Sequence, residues 1–233
     1  MRPTPKHLAV AVILATTQLA DLALAQTTTA PTAPSGQAAR AGVSEEPQRH
    51  FDNAVEAYTK KDYTVAANEI RKAARYLHVE AGRATGNARK ALDGSVVELG
   101  KLAGSVEKGA VKDERIMDTT FAKADHALAL AHRTKAAESW TRREYDKAGD
   151  ELKAAAHDLD RAAGWAGTKA KAGVSRVVTD TKELGNKLAT GATWTRDEVG
   201  RGFNALGHAL NKFGQKIGAK EKAEPVKSGS GSS

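Results

Sequence analysis

Residues 50–82 read HFDNAVEAYTKKDYTVAANEIRKAARYLHVEAG, and residues 132–164 read HRTKAAESWTRREYDKAGDELKAAAHDLDRAAG. The two stretches are copies of one pattern, 82 positions apart, in which small, aliphatic and aromatic residues recur at steps of three and four. The matched positions are His50, Tyr58, Tyr63, Ala66, Ile70, Ala73, Leu77 and Gly82 in the first copy, and His132, Trp140, Tyr145, Ala148, Leu152, Ala155, Leu159 and Gly164 in the second. Helical spacing of this kind indicates how the molecule is built and specifies no chemistry.

Each copy has a polar break between two amphipathic segments. The break is Lys60-Lys61-Asp62 in the first copy and Arg142-Arg143-Glu144 in the second. A short break between two helices with apolar stripes is typical of an antiparallel helical hairpin. The sequence therefore predicts an all-α fold. We expect an antiparallel helical bundle built from two related helical hairpin units, at about 50–109 and 132–191, plus a C-terminal amphipathic helix at about 195–220 that lies outside the repeat.

The second segment of each copy resembles a tetratricopeptide hairpin. The residues that carry the resemblance are Tyr63-x-x-Ala66-x-x-x-Ile70-x-x-Ala73 and Tyr145-x-x-Ala148-x-x-x-Leu152-x-x-Ala155. It covers about 54–77 and 136–159, and it implies two helices that approach closely through small residues. The repeat period of this chain is more than twice that of the tetratricopeptide family, and the closing proline of that family is missing. A generic alpha-alpha hairpin is the alternative.

Glycines interrupt the apolar pattern that continues beyond each hairpin. Gly82 and Gly86 fall in the first unit, and Gly164 and Gly167 fall at similar places in the second. Each glycine inside a helix costs about 1 kcal/mol relative to alanine. Either these glycines end one helix and start another, or they lie on a closely packed helix face. We expect long helices that are weakened near these glycines.

The two ends of the chain have compositions unlike the middle. Arg2 and Lys6 precede an apolar run over 8–15, and small residues at Ala23 and Ala25 fit a signal peptidase site before Gln26. We therefore predict a signal peptide at 1–25, with a membrane anchor as the disfavoured alternative because the apolar run is too short to span a bilayer. The segment 26–48 is expected to be a disordered leader, and 221–233 a flexible tail.

The predicted location is the periplasm or the extracellular space. The chain nevertheless has no cysteine, so its fold must be stabilised by packing alone. Thiol catalysis, zinc-thiolate sites and c-type haem attachment are excluded for the same reason.

Candidate catalytic groups are sparse. The chain contains no His-Glu-x-x-His pattern, no Gly-x-Ser-x-Gly motif and no phosphate-binding glycine loop ending in Gly-Lys-Ser or Gly-Lys-Thr. His50 and His132 occupy matching positions and are interpreted as packing residues at a helix interface. The group His157, Asp158 and Asp160 is interpreted as a solvated helix face. We predict no catalytic residue, no cofactor and no metal site, and hence no enzyme.

The C-terminal part carries most of the positive charge. Residues 164–222 contain 11 basic and 5 acidic side chains, a balance of +6, whereas residues 49–163 contain 21 and 19, a balance of +2. Thr195-x-x-Glu198 is a plausible capping box at the start of the predicted C-terminal helix. We predict partner or surface contact by five residues of that helix: Phe203, Leu210, Phe213, Lys212 and Lys216. Most amphipathic helices are half-buried, so the favoured interpretation of the apolar stripe is that it docks on the bundle, with partner or surface contact as the functional alternative.

The predicted function is that of an exported, non-enzymatic helical scaffold or interaction protein. Its partner is expected to be a protein or an anionic envelope surface, with self-association as a further option, and nucleic acid is disfavoured because basic and acidic residues are interleaved. The alternative is a small-molecule or metal-binding protein that uses the space between the two hairpins. That space would be lined by His50, Tyr58, His132 and Trp140.

Overall fold

A computed structural model describes residues 36–226, with side chains described from residue 46 onward. This part of the chain forms seven helices and no strand, which confirms the all-α prediction. The helices are α1 (Gly36–Thr59), α2 (Tyr63–Arg83), α3 (Gly86–Glu107), α4 (Arg115–Thr141), α5 (Tyr145–Trp165), α6 (Thr168–Thr190) and α7 (Arg196–Ile217). Consecutive helices contact one another along the chain, and α7 also contacts α4.

Each repeat unit contains three helices. The first unit is α1 to α3 and the second is α4 to α6, and α2 and α5 begin and end at equivalent positions of the repeat. The turns before α2 and α5 also match, because Lys61 and Arg143 both adopt left-handed conformations, with φ of 63° and 62°. The predicted hairpins are thus the first two helices of each three-helix unit.

The helices are broken near the glycines. Helix α2 ends at Arg83 and α3 begins at Gly86, whose φ is +56°; α5 ends at Trp165 and α6 begins one residue after Gly167, whose φ is +93°. The prediction of long, weakened helices is therefore wrong. Positive φ is incompatible with α-helix continuation, and glycine adopts it without the steric cost of a Cβ atom.

Aromatic side chains join the two units. The rings of Phe51 in α1 and Phe121 in α4 are stacked, with centroids 4.4 Å apart, and both contact the ring of Trp165 in α5 edge-on. Phe51 and Phe121 are fully buried. The core therefore continues from one unit into the next.

Helix α7 shares part of its sequence pattern with α4. Phe203, His208 and Leu210 follow Phe121, His126 and Leu128 at the same spacing that separates the first two copies. Helix α7 contacts α6 in the second unit as α4 contacts α3 in the first. The predicted position of the C-terminal helix at about 195–220 agrees with Arg196–Ile217, and its place outside the repeat stays a prediction.

Two predictions about the ends of the chain need correction. The leader prediction is wrong from Gly36 to Gln48, because α1 begins at Gly36. This segment is rich in alanine, glutamine and glutamate, which favour helix, and Pro47 and Gln48 are buried. The tail prediction is wrong for 221–226, where Ala223 and Val226 pack against the core. The predicted signal peptide at 1–25, the rest of the leader at 26–35 and the rest of the tail at 227–233 lie outside the described residues.

None of the described helices combines the length and the apolar character needed to cross a membrane.

Candidate functional site

The start of α7 is fixed by a side-chain cap. Thr195 Oγ1 accepts a hydrogen bond from the Glu198 backbone N–H at 3.1 Å, as the capping pattern predicts. The Glu198 carboxylate does not complete a capping box. It accepts a hydrogen bond from Lys187 Nζ in α6 at 2.8 Å, which links the two helices.

The three apolar residues of the predicted contact set are packed in the core. Phe203, Leu210 and Phe213 are at most 2% exposed, together with Val199 and Leu206 of the same stripe. The stripe faces the bundle because its burial removes apolar surface from water. Phe203, Leu210 and Phe213 therefore pack the core and are not accessible for the predicted partner contact.

The outer face of α7 is cationic. Arg201, His208, Lys212 and Lys216 are all exposed and follow one another at steps of seven, four and four, which places them on one side of the helix. Among the described residues, Lys212 and Lys216 form no ion pair, whereas the charge of Arg201 contributes to the lowered pKa of Glu198. We call these four residues the cationic stripe. It contains the two lysines of the predicted contact set, whose role in contact remains a prediction.

The segment after α7 crosses back over the bundle. Helix α7 ends at Ile217, Gly218 follows with a φ of +71°, and residues 219–226 continue without regular secondary structure. We call residues 219–226 the strap. Its Ala223 N–H donates to Asn211 Oδ1 in α7 at 2.8 Å, and Ala223 and Val226 pack against the core. No pattern in the sequence predicts this contact.

The strap also binds the start of α3. Glu224 Oε1 accepts a hydrogen bond from the Asn87 backbone N–H at 2.9 Å, and the Lys222 carbonyl accepts one from Asn87 Nδ2 at 3.3 Å. The first backbone N–H groups of a helix have no partner within the helix and favour an anion. The Glu224 carboxylate therefore caps α3 across 137 positions of sequence.

A buried arginine lies between α7 and the strap. Arg133 in α4 is 4% exposed, and its guanidinium donates to the Phe203 carbonyl at 3.2 and 3.3 Å and to the Glu224 carbonyl at 2.7 Å. These hydrogen-bond partners are backbone carbonyls and not carboxylates. Burial lowers the pKa of Arg133, and the nearby charge of Glu224 partly offsets this. Carbonyl dipoles make all of its hydrogen bonds, and the charge of Glu224 compensates the buried cation in part.

A histidine–glutamate contact occurs in both units. His50 Nδ1 lies 2.6 Å from Glu69 Oε2, and His132 Nδ1 lies 2.6 Å from Glu151 Oε2. Burial disfavours the charged form of His132, but the hydrogen bond to Glu151 and the charge of Asp158 raise its pKa overall. The two histidines lie at helix interfaces, as the packing interpretation predicts, and each has a carboxylate partner.

The aromatic residues of the predicted ligand space belong to separate clusters. Tyr58 contacts Tyr63 and donates to the Val111 carbonyl at 2.9 Å. Trp140 contacts Tyr145 and Trp194, with ring centroids 5.1 and 5.2 Å away. Each cluster stabilises the turn between the first two helices of its own unit.

Two cavities lie elsewhere in the described part of the chain. One of about 80 Å³ lies between the start of the strap and helices α3 and α4, and one of about 310 Å³ is an open groove between α1 and α2. Neither is lined by His50, Tyr58, His132 or Trp140, so neither supports the predicted ligand space. Within residues 46–226, no three histidine or carboxylate side chains are placed to hold a metal ion.

A buried polar cluster lies between the two units. Trp165 Nε1 donates to Asp125 Oδ2 at 3.1 Å, and both Asp125 and Asp158 are at most 2% exposed. Burial raises the pKa of Asp125 well above its ordinary value, and the charge of Asp158 adds to this while Arg161 opposes it. The predicted solvated face is therefore wrong for Asp158, because the second unit packs that side of α5 against the first.

Several atoms of this cluster have no hydrogen-bond partner among the described residues. They are Gln48 Oε1, Tyr76 Oη, Asp158 Oδ2 and Arg161 Nε. Burial raises the pKa of the Tyr76 hydroxyl above its ordinary value, and the charge of Glu80 adds to this. Burial therefore favours the protonated forms of Asp125 and Tyr76, and neither of the two cavities is lined by residues of this cluster.

No protein-family model matches the chain, and neither the search of curated proteins nor the search of solved structures gave a match.

Proposed function

We propose that the protein is an exported, non-enzymatic helical scaffold that acts through contacts with a protein partner or an anionic envelope surface. The observation that carries this proposal is the cationic stripe on α7. Its side chains are exposed, and its two lysines have no ion-pair partner among the described residues. Their charge is therefore available to an external anionic group.

The contact is electrostatic in this proposal. The apolar stripe of α7 is buried in the bundle. An anionic surface would therefore contact the basic side of the helix and not its apolar side. Each lysine or arginine close to an anionic membrane surface contributes about 1 kcal/mol to binding. Such binding weakens as the salt concentration rises, because counterions screen exposed charges.

The direct test is sedimentation of the protein with lipid vesicles. The full chain without residues 1–25 is mixed with phosphatidylglycerol vesicles and, separately, with neutral phosphatidylcholine vesicles. We expect binding to the anionic vesicles alone. The Lys212→Glu/Lys216→Glu variant should bind at least about tenfold more weakly, because two attractive charges become repulsive.

The matched control is Arg75→Glu/Lys101→Glu. These two exposed residues on α2 and α3 have no ion-pair partner among the described side chains, and the variant changes the net charge by the same amount. An equal loss of binding in the control would show a general charge effect and contradict a role for the stripe.

A second experiment separates a lipid from a protein partner. A photo-crosslinking amino acid is placed at position 212 or, as a control, at position 101, and the protein is irradiated in intact cells. A discrete protein adduct from position 212 would indicate a protein partner, and a lipid adduct would indicate the envelope surface. Equal yields of adduct at the two positions would contradict the proposal.

A further inference from the structure

We infer that the groove between α3, α4 and α7 is a binding site for an extended acidic peptide of a partner protein, and that the strap occupies this groove until such a peptide displaces it. The site is separate from the cationic stripe, so it does not depend on the function proposed for that stripe. We call it the strap groove.

The strap shows that the groove accepts an extended peptide. Its first N–H, that of Ala219, donates to the Gly214 carbonyl at the end of α7. Its polar contacts with the groove are made by the Lys222 carbonyl, the Ala223 N–H and the Glu224 carbonyl, together with one side-chain group, the Glu224 carboxylate. Backbone groups are common to all peptides, so three of these four strap groups place no demand on residue type. The fourth requires an acidic side chain at one position.

The charges of the groove favour a peptide more acidic than the strap. Arg133 is buried with only carbonyl oxygens as hydrogen-bond partners, and Lys90 and Lys123 line the adjacent cavity. Glu98 pairs with Lys123 at 3.1 Å, so Lys90 forms no ion pair among the described residues. Arg133 has no hydrogen bond to a carboxylate, and the charge of Glu224 offsets only part of the effect of its burial. The strap adds no net negative charge to the groove, because its two lysines and two glutamates cancel. Charge-assisted hydrogen bonds to a carboxylate are stronger than those to a neutral carbonyl.

The strap can leave without unfolding a helix. It is attached at one end through Gly218, whose positive φ ends α7, and it contributes no regular secondary structure. The cavity of about 80 Å³ next to its first residues shows that it leaves part of the groove unfilled. As a tethered ligand, the strap has an effective concentration in the millimolar range. The strap therefore excludes peptides that bind the groove weakly, and a peptide that binds more tightly displaces it.

The test is peptide binding to the full chain with a weakened strap. Glu224→Ala removes the carboxylate that caps α3 and leaves the groove residues unchanged. The probe is a fluorescent peptide of residues 219–226 that carries Lys220→Glu and Lys222→Glu, and binding is measured by fluorescence anisotropy. We expect the peptide to bind the Glu224→Ala chain at least about tenfold more tightly than the wild-type chain.

Two further variants locate the peptide. The same peptide with Glu224→Gln should bind the Glu224→Ala chain about tenfold more weakly, because it lacks the carboxylate for the α3 amide. In the Glu224→Ala chain, Asn211→Ala should weaken binding, because Asn211 accepts the hydrogen bond from the peptide backbone. Asn204→Ala, on the exposed side of the same helix, is the matched control and should have no effect.

The inference is overturned by either of two results. Failure of the acidic peptide to bind the Glu224→Ala chain would show that the groove does not accept a peptide in trans. Equal binding to the wild-type and Glu224→Ala chains, or equal effects of Asn211→Ala and Asn204→Ala, would show that the peptide binds elsewhere.

Discussion

His132 Nδ1 lies 2.6 Å from Glu151 Oε2, and this contact reproduces in the second unit the one between His50 and Glu69 in the first. In both units the partner lies 19 residues further along the chain, on the neighbouring helix. Because a carboxylate only accepts hydrogen bonds, the ring nitrogen donates in each pair. The contact therefore joins the first and second helices of each unit and belongs to the duplicated construction.

The first prediction concerns the pH dependence that His132 gives to folding. Its native pKa is raised above the unfolded value of 6.5, so its contribution to stability is complete below that value and is lost as the pH rises through the native pKa. His132→Gln should lower the free energy of unfolding by roughly 2 kcal/mol in mildly acidic solution, and by less in mildly alkaline solution. Urea unfolding across this pH range measures the difference.

His208→Gln is the control for this prediction. His208 is exposed on α7 and has no carboxylate partner among the described residues. If His132→Gln and His208→Gln changed stability equally across the pH range, the His132–Glu151 contact would have no special part in the pH dependence.

The second prediction concerns the buried acid Asp125. Its raised native pKa means that the unfolded carboxyl ionises first as the pH rises above 3.8, so this group makes the fold less stable with increasing pH. Asp125→Asn removes the titration and keeps an oxygen that can accept the hydrogen bond from Trp165. We expect the variant to be about 1 to 3 kcal/mol more stable than wild type in alkaline solution, with a smaller gain near pH 4.

Thermal unfolding followed by tryptophan fluorescence checks this, with Asp93→Asn as the exposed control. An Asp125→Asn variant less stable than wild type in alkaline solution would contradict a neutral Asp125 in the folded protein.

The helices and their duplication could be predicted because the residues that pack them recur within one helix or across one short turn. Tyr63 and Tyr145 begin equivalent helices, and the polar breaks before them are visible in the sequence. The same comparison carried further along the chain would also identify α7, since Phe121 and Phe203 are 82 positions apart as well. That signal is present but incomplete, because Gly214 stands where the first two copies have His50 and His132.

No repeated pattern in the sequence predicts the contacts of the strap or the buried polar cluster. Arg133 is held by the carbonyl groups of Phe203 and Glu224, and backbone atoms are the same in every residue type. Asp125 and Trp165 meet through the packing of one unit on another, across 40 positions of sequence. Periodicity within a helix identifies which face is buried, but it does not identify which distant side chain lies against that face.

The third prediction concerns a left-handed residue that is not glycine. Arg143 has a φ of 62° and follows the end of α4, where its N–H donates to the Trp140 carbonyl at 3.0 Å. Glycine is favoured at this position of a helix end because it lacks the Cβ atom that strains the left-handed conformation. Arg143→Gly should therefore stabilise the protein by about 0.5 to 1 kcal/mol in urea unfolding. Arg142→Gly, at an adjacent residue with a φ of −81°, should not.

The last prediction tests the close approach of α5 and α6. A Cβ atom added at Gly149 would lie 2.4 Å from the Gly185 carbonyl oxygen and 2.6 Å from the Ala189 nitrogen, which are backbone atoms that cannot rotate away. Gly149→Ala should therefore force the two helices apart and lower the free energy of unfolding by about 2 kcal/mol. The matched control is Gly173→Ala, because Gly173 is exposed on α6 and an added Cβ would meet nothing within 4 Å.

We expect Gly173→Ala to stabilise the protein by about 0.5 to 1 kcal/mol, since alanine favours helix more than glycine does. Urea unfolding followed by circular dichroism measures both variants. The first unit has Ala67 and Ala103 at the positions that correspond to Gly149 and Gly185, so we expect α2 and α3 to be less closely packed than α5 and α6. If Gly149→Ala stabilised the protein as much as Gly173→Ala, the backbone contact between α5 and α6 would be too loose to require glycine. The two units would then share the same helix spacing.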